Sequence, residues 1–249
     1  MGIALVGVGA IGGAIAADLA DLGRHDLVLC ARTPFDRLQV RHPHGVSEVR
    51  VEPATTPEDA AARFDGSPPW VLLVTKAHQS DGARPWLTAL CGRNTRVAVL
   101  QNGVDHVERV QPLAPDGTEV LPVVVQVPCE RTAPGRIEQS HTWLLFVPDD
   151  AAGRAFAALF EGGRTQVRPT ADFKSQAWWK LLSNAAIGGV CALAVRSNRV
   201  AGEPDVRALV LDLMREVAAV GRAEGAVLPD DAPEKALGLI LSAAPDHWG

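Results

Sequence analysis

Ile3-Ala4-Leu5-Val6-Gly7-Val8-Gly9-Ala10-Ile11-Gly12-Gly13 is the stretch on which the fold turns. Four apolar residues read as a short buried strand, and a G-x-G-x-x-G pattern follows at once. The helical pattern of Ala10–Leu22 begins inside that pattern. Gly7 permits the tight turn, Gly9 has no side chain to block a pyrophosphate, and Gly12, with Gly13 beside it, lets the helix approach the sheet. The helix N-terminus then faces the phosphate charge. A bare glycine pattern is weak evidence. Set between strand and helix, it predicts a dinucleotide site with Gly7, Val8, Gly9, Ala10, Ile11 and Gly12 as cofactor contacts.

Working outward, apolar runs alternate with helical patterns. Asp26–Ala31, Val46–Val51, Trp70–Thr75 and Thr95–Leu100 read as strands, and Pro57–Phe64 and a segment near Gln79–Leu90 as helices. That alternation predicts right-handed crossovers and a mostly parallel sheet. Thr118–Val127 and Arg136–Val147 are β-rich and flank a turn at Ala133-Pro134-Gly135. A helix at Asp150–Phe160 and a strand at Gln166–Arg168 follow. From Ala171 only helical signals remain: one segment to about Val200, one near Pro204–Glu224, and one from Asp230 to about Ala243. The expected fold class is α/β: an N-terminal Rossmann-type doubly wound sheet in residues 1–168, then a smaller all-helical domain in residues 169–249.

The end of the second strand chooses the dinucleotide. NAD sites usually place Asp or Glu there to bind the ribose hydroxyls. Leu27-Val28-Leu29-Cys30-Ala31 instead delivers Arg32, which pairs with a 2′-phosphate and favours NADP(H); the alternative is a solvated surface arginine. Lys76 and Asn102 emerge after the predicted strands Trp70–Thr75 and Thr95–Leu100, at the ends where ligands collect in open α/β sheets.

In Ala177-Trp178-Trp179-Lys180-Leu181-Leu182-Ser183-Asn184, Lys180 and Asn184 are four apart and share one helix face. A lysine in a desolvated setting has its pKa lowered and can act as a general acid. Asn184, a poor mid-helix residue, is placed to hydrogen-bond a carboxylate or hydroxyl. The competing reading is a surface lysine beside buried tryptophans; the neighbouring dinucleotide motif favours the functional one.

These residues resemble the ketopantoate reductase family. The matching blocks are GVGAIGG at 7–13, Arg32, VTKAHQ with Lys76, QNG with Asn102, WKLLSN, and Asn198 near the end of the same long segment. The resemblance implies that Arg32 holds the 2′-phosphate and that Lys76 and Asn102 lie near nicotinamide and substrate. It further implies that Lys180 protonates the carbonyl oxygen, that Asn102, Asn184 and Asn198 bind substrate, and that NADPH reduces 2-dehydropantoate to (R)-pantoate on the way to pantothenate and coenzyme A. Two departures stand out. The family's amide one turn after Asn184 is Gly188, followed by Gly189. The chain also stops at Pro245-Asp246-His247-Trp248-Gly249, before a family segment that supplies a serine to substrate and a glutamate near the cofactor, and before the helices after it. They motivate two alternatives: a reductase of another small 2-keto or imino acid, and a non-catalytic NADP-binding protein.

Composition narrows the rest. A net charge of -5 without long single-sign blocks argues against nucleic acid or an anionic membrane as main partner. No basic region precedes residues 3–6 and no apolar stretch reaches a membrane span, so the expected location is the cytoplasm. There is no tyrosine, which excludes a tyrosine proton donor. Cys30, Cys91, Cys129 and Cys191 lie far apart and read as small buried hydrophobes rather than disulfides. No metal site is expected: His42-Pro43-His44 is the only close histidine pair, and no ligand cluster accompanies it. His78 and His141 are candidates for bordering the cleft, against the commoner reading of structural or solvated histidines. The six tryptophans read as packing residues. The ridge of Leu209, Leu213, Val217 and Val220 is helical core or a homodimer face, and the sequence does not separate the two.

Overall fold

The computed structural model describes residues 1–140, 143–243 and 246. In chain order, β1 (Gly2–Val6), α1 (Ala10–Asp21) and β2 (Asp26–Cys30) come first. A hairpin of β3 (Arg37–His42) and β4 (Gly45–Arg50) follows, then α2 (Pro57–Ala62) and β5 (Trp70–Leu73). A 3-10 segment, Ala77–Ala83, leads into α3 (Arg84–Leu90), β6 (Arg96–Val99), α4 (His106–Val110) and β7 (Glu119–Pro122). Next are β8 (Val124–Gln126), β9 (Cys129–Ala133), β10 (Arg136–Gln139), β11 (Leu144–Pro148), α5 (Ala151–Ala158) and β12 (Gln166–Thr170). The remainder is helical: α6 (Phe173–Ala194), a 3-10 turn at Asn198–Gly202, α7 (Pro204–Ala223) and α8 (Ala232–Ala243). The chain divides into two compact units, Met1–Ala171 and Asp172–Gly249.

In the first unit, alternate residues of β1 enter opposite cores. Ile3 and Leu5 join α1 and the strands covering it, while Ala4 and Val6 join residues of α2 and α3. A strand buried on both faces has no polar side, which is why it reads as a continuous apolar run. The central sheet is parallel throughout, in the order β2-β1-β5-β6-β7. The order reverses direction between β1 and β5, so the chain opens a crevice at the ends of those two strands.

Among the described residues, β2 is the one strand of this sheet outside β1. The chain returns past β2 through a single bridge, Cys30 to Ala54, instead of adding a full third strand. The residues between form the β3–β4 hairpin, which pairs with β10 and β9 in a second sheet, β4-β3-β10-β9. A third sheet, β12-β11-β8, completes the unit. Two of these strands have no clear signal in the sequence. β3 was not anticipated, and the strand facing β10 across the turn at 133–135 is β9, not the 118–127 run. The second sheet approaches α1 closely: a Cβ on Gly13 would collide with Ile137 of β10. The atom in the way is the tip of a flexible side chain, so a methyl on Gly13 would oblige Ile137 to move.

Asp18 of α1 is almost fully buried, and its carboxylate accepts backbone N–H bonds from Arg164 (2.9 Å) and Thr165 (2.8 Å). Two donors from one loop tether that loop to α1, and the Arg164 guanidinium adds a bond to Asp21 at 2.7 Å. The four cysteines form no disulfide. Burial pushes the thiols of Cys30, Cys91 and Cys129 up to about 12, so they stay protonated and unreactive at neutral pH.

In the second unit, Asp172 caps α6 by accepting from the Ser175 N–H at 3.1 Å. The helix ends earlier than the sequence suggests, at Ala194, because Val195 adopts a left-handed conformation (φ 52°, ψ 46°) and turns the chain back. α7 buries Val210, Met214, Ala218 and Gly221. The ridge expected from sequence lies to one side of that face, with Leu209 and Val220 each 53% exposed. Trp70, Trp143 and Trp178 are core residues, while Trp248 lies outside the described residues. No helix among the described residues is long and apolar enough to cross a membrane.

Candidate active site

The turn after β1 is built as its glycines require. Gly7 has φ +106°, a conformation costly for any L side chain, and its N–H donates to Cys30 O at 3.0 Å. A Cβ there would also stand 2.8 Å from Thr75 N, so the ends of β1 and β5 touch through this glycine. A Cβ on Gly12 would collide with the Gly7 carbonyl. Gly9 differs: a Cβ there would meet nothing within 4 Å. Neither backbone strain nor packing demands glycine at that position, and the space in front of it is open. No side chain caps α1 and its first turn carries no acidic residue. The first N–H groups of the helix thus keep their positive end for an anion.

Arg32 stands just beyond β2, exposed, with no hydrogen bond or ion pair among the described residues. Its backbone is held: Ala31 N donates to Ala54 O at 3.0 Å and Ala54 N donates to Leu29 O at 2.7 Å. A fixed base carrying a free guanidinium suits a multivalent anion.

Lys76 and Asn102 follow β5 and β6, which are neighbours in the sheet. Both side chains are exposed and make no hydrogen bond or ion pair among the described residues. Beneath them lies a buried layer that the sequence did not reveal. The Gln101 side chain donates from Nε2 to Thr75 Oγ1 at 3.0 Å, and its Oε1 accepts from Arg109 Nη2 at 3.1 Å. Ser80 Oγ approaches the same Oε1 at 3.2 Å while donating to Ala77 O at 2.8 Å. Arg109 is held in turn by Asp105. Burial pushes the His106 pKa down, so the ring is neutral and donates from Nε2 to Gln101 O at 2.7 Å.

On α6, Lys180 and Asn184 share one face a turn apart, both partly buried. Burial lowers the Lys180 pKa from its ordinary value of 10.5. No acidic partner among the described residues offsets the lost hydration, so the neutral form gains ground. The Asn184 amide has no hydrogen-bond partner among the described residues. Asn198 is placed otherwise than its sequence position suggests. It lies in the 3-10 turn beyond Val195, buried, with Oδ1 3.5 Å from Cys191 Sγ. At Gly188 and Gly189 a Cβ would meet nothing within 4 Å.

Of the histidines, His42 sits in β3 with Nε2 3.3 Å from Ser47 Oγ, and His78 is exposed. His141 lies outside the described residues. Among the described residues no three His, Cys, Asp or Glu side chains are grouped to hold a metal ion.

A parallel sheet whose first strand feeds a glycine turn and an uncapped helix, joined in sequence to a helical unit carrying a desolvated lysine, defines the class: a Rossmann-type oxidoreductase. Residues 3–146 match the family described as Ketopantoate reductase PanE/ApbA, and residues 172–249 its C-terminal part. The 2-dehydropantoate 2-reductase of Caulobacter vibrioides is 41% identical over 244 residues, covering 98% of this chain and 81% of that one. Among solved structures, a PanE/ApbA family ketopantoate reductase from Ralstonia eutropha superposes with TM-score 0.88 at 26% identity, covering 100% of this chain and 83% of that one. A dimeric ketopantoate reductase from Staphylococcus aureus shares the fold, with TM-score 0.84 at 23% identity, covering 100% and 82%. The chain belongs to the ketopantoate reductase family.

Proposed function

We propose that this protein reduces 2-dehydropantoate to (R)-pantoate with NADPH, residues 1–168 forming the cofactor-binding domain and residues 169–249 the helical substrate domain. The observation that carries this reading is the 41% identity to a 2-dehydropantoate 2-reductase, sustained across both units. The residues fit the cofactor: the open space before Gly9 suits a pyrophosphate, with the N-terminus of α1 behind it and Gly7 through Gly12 lining it. Arg32 takes the 2′-phosphate. When bound, NADPH supplies the hydride that goes to the keto carbon. Lys180 gives a proton from Nζ to the carbonyl oxygen, so the ketone becomes an alcohol and the lysine is left neutral. Lys76 and Asn102 orient nicotinamide and substrate, and Asn102, Asn184 and Asn198 bind the substrate's carboxylate and hydroxyl. The family supplies the place of this reaction in pantothenate biosynthesis.

The cofactor half of the reading separates two glycines. Gly9→Ala is expected to weaken NADPH binding about tenfold, because one methyl displaces a phosphate from its amides, with an unchanged Tm. Gly12→Ala is expected to lower Tm by several degrees, since its Cβ meets the Gly7 carbonyl. NADPH titration beside thermal melting checks both; identical behaviour of the two variants would remove the cradle.

A second reading, reduction of another small 2-keto or imino acid, is favoured by Gly188. A mid-helix glycine costs about 1 kcal/mol relative to alanine, and open space beside it shows no packing reason for that cost. A panel of keto acids, followed by the loss of NADPH absorbance, decides between the readings. Ketopantoate is expected to turn over with the highest kcat/KM. Ketopantoate idle while another acid is reduced would replace the first reading with the second.

A further inference from the structure

We propose that Gln101 is a positioning residue: its buried carboxamide ties the loops after β5 and β6 together and thereby sets where Lys76 and Asn102 stand. The inference rests on the reductase reading for the roles of those two residues, and on geometry alone for the tie. The side chains of Lys76 and Asn102 make no hydrogen bond or ion pair among the described residues, so their location depends on the backbone beneath them. Gln101 immediately precedes Asn102, and Thr75, which accepts from Gln101 Nε2, immediately precedes Lys76. Ser80, on Oε1, belongs to the 3-10 segment that begins after Lys76. Arg109, also on Oε1, projects from α4, the helix that follows Asn102. The His106 bond to Gln101 O fixes the peptide plane leading into Asn102.

The orientation of the amide is determined by these partners. A guanidinium can only donate, so the atom facing Arg109 is the oxygen, and the nitrogen must face Thr75. Gln101 is 2% exposed, so an unfilled partner in this layer would find no water to replace it. The layer is therefore stiff, and its stiffness is passed to two otherwise free side chains. A misplacement of about 1 Å at such a position can cost up to about a hundredfold in rate.

A buried amide that served stability alone would act independently of Asn102 and Lys76, and a double-mutant cycle tells the two roles apart. Gln101→Met, close in shape but without the amide, is combined with Asn102→Ala and read in kcat/KM with ketopantoate. It is also combined with Lys76→Ala and read in NADPH affinity. Gln101→Met alone is expected to lose about ten- to a hundredfold in kcat/KM. In that background Asn102→Ala and Lys76→Ala should each cost at least about threefold less than in the wild type. Gln101→Glu keeps acceptors for Arg109, Ser80 and the Thr75 hydroxyl and is expected to recover most of the loss. Additive costs in both cycles would overturn the proposal, as would a Gln101→Glu variant no better than Gln101→Met. Should Gln101→Met not fold, Thr75→Val removes one strut and enters the same cycles. A wild type that reduces no keto acid would defeat the reductase reading, and the NADPH cycle with Lys76 would still decide this one.

Discussion

Lys180→Ala is expected to lower kcat by about 100- to 10,000-fold, the range typical of a positioned proton donor, while NADPH affinity stays within about twofold of wild type. The side chain acts on the developing alkoxide and has no part in holding the dinucleotide, so the two measurements must part. Equal losses in both would contradict the role. Lys180→Arg sharpens the test: it keeps a positive charge but cannot release a proton near neutral pH, so it should be nearly as inactive as alanine. The pH profile carries a sign. Burial depresses the Lys180 pKa, and the acid must be protonated to work, so kcat should fall as pH rises through that depressed value, below the ordinary 10.5. Stability moves the other way. Between the folded and unfolded pKa values the unfolded chain binds the extra proton, so folding is favoured as pH rises through that window. Lys180→Met removes a partly buried charge without removing the stem, and its Tm at neutral pH should equal or exceed that of the wild type. A fall of several degrees would mark the lysine as structural.

The parts of the fold legible in sequence were those whose pattern is local. β1, α1 and β2 follow one another within thirty residues, and the glycine spacing between them has one structural use. What was hidden depends on partners far along the chain. β3 offers Leu38 and Val40 among Arg37, Gln39, Arg41 and His42, too thin a pattern to announce a strand, and it is stabilised by pairing with β10. β9 reads Cys129-Glu130-Arg131-Thr132-Ala133 and lies at the edge of its sheet, where charge is tolerated. The end of α6 is hidden for a different reason. Left-handed caps are usually Gly or Asn, and a β-branched valine holds this one.

The candidate site divides along the same line. Lys76 and Asn102 could be named from sequence because each follows an apolar strand. Gln101, next to Asn102 in the same motif, carries no such signal, because its importance lies in Thr75, Ser80 and Arg109, which belong to different elements. Asp18 was hidden likewise, its partners lying across the fold at Arg164 and Thr165. Residues that face outward toward a ligand leave a trace in composition. Those that hold them in place leave theirs only in three dimensions.

Arg32→Ala is expected to reduce the preference for NADPH over NADH by about ten- to a hundredfold, through weaker NADPH binding with NADH binding unchanged. The magnitude follows from the interaction proposed. A hydrogen bond to a charged group is worth about 1.5–3 kcal/mol, and the guanidinium fork can offer two to one phosphate. Salt and solvent at this exposed position keep the effect from being larger. The structure offers Arg32 no competing carboxylate among the described residues, and the hydrogen bond from Ala31 N to Ala54 O anchors its backbone. The arginine therefore gives up no existing bond when it takes the phosphate. Arg32→Lys should fall between wild type and alanine, since it keeps the charge and loses the fork. The effect should also shrink as ionic strength rises, which a change in fold would not reproduce. Paired titrations with NADPH and NADH at two salt concentrations measure all of this. A ratio unmoved by Arg32→Ala would place the discrimination elsewhere, and the unpaired guanidinium after β2 would then be surface charge alone.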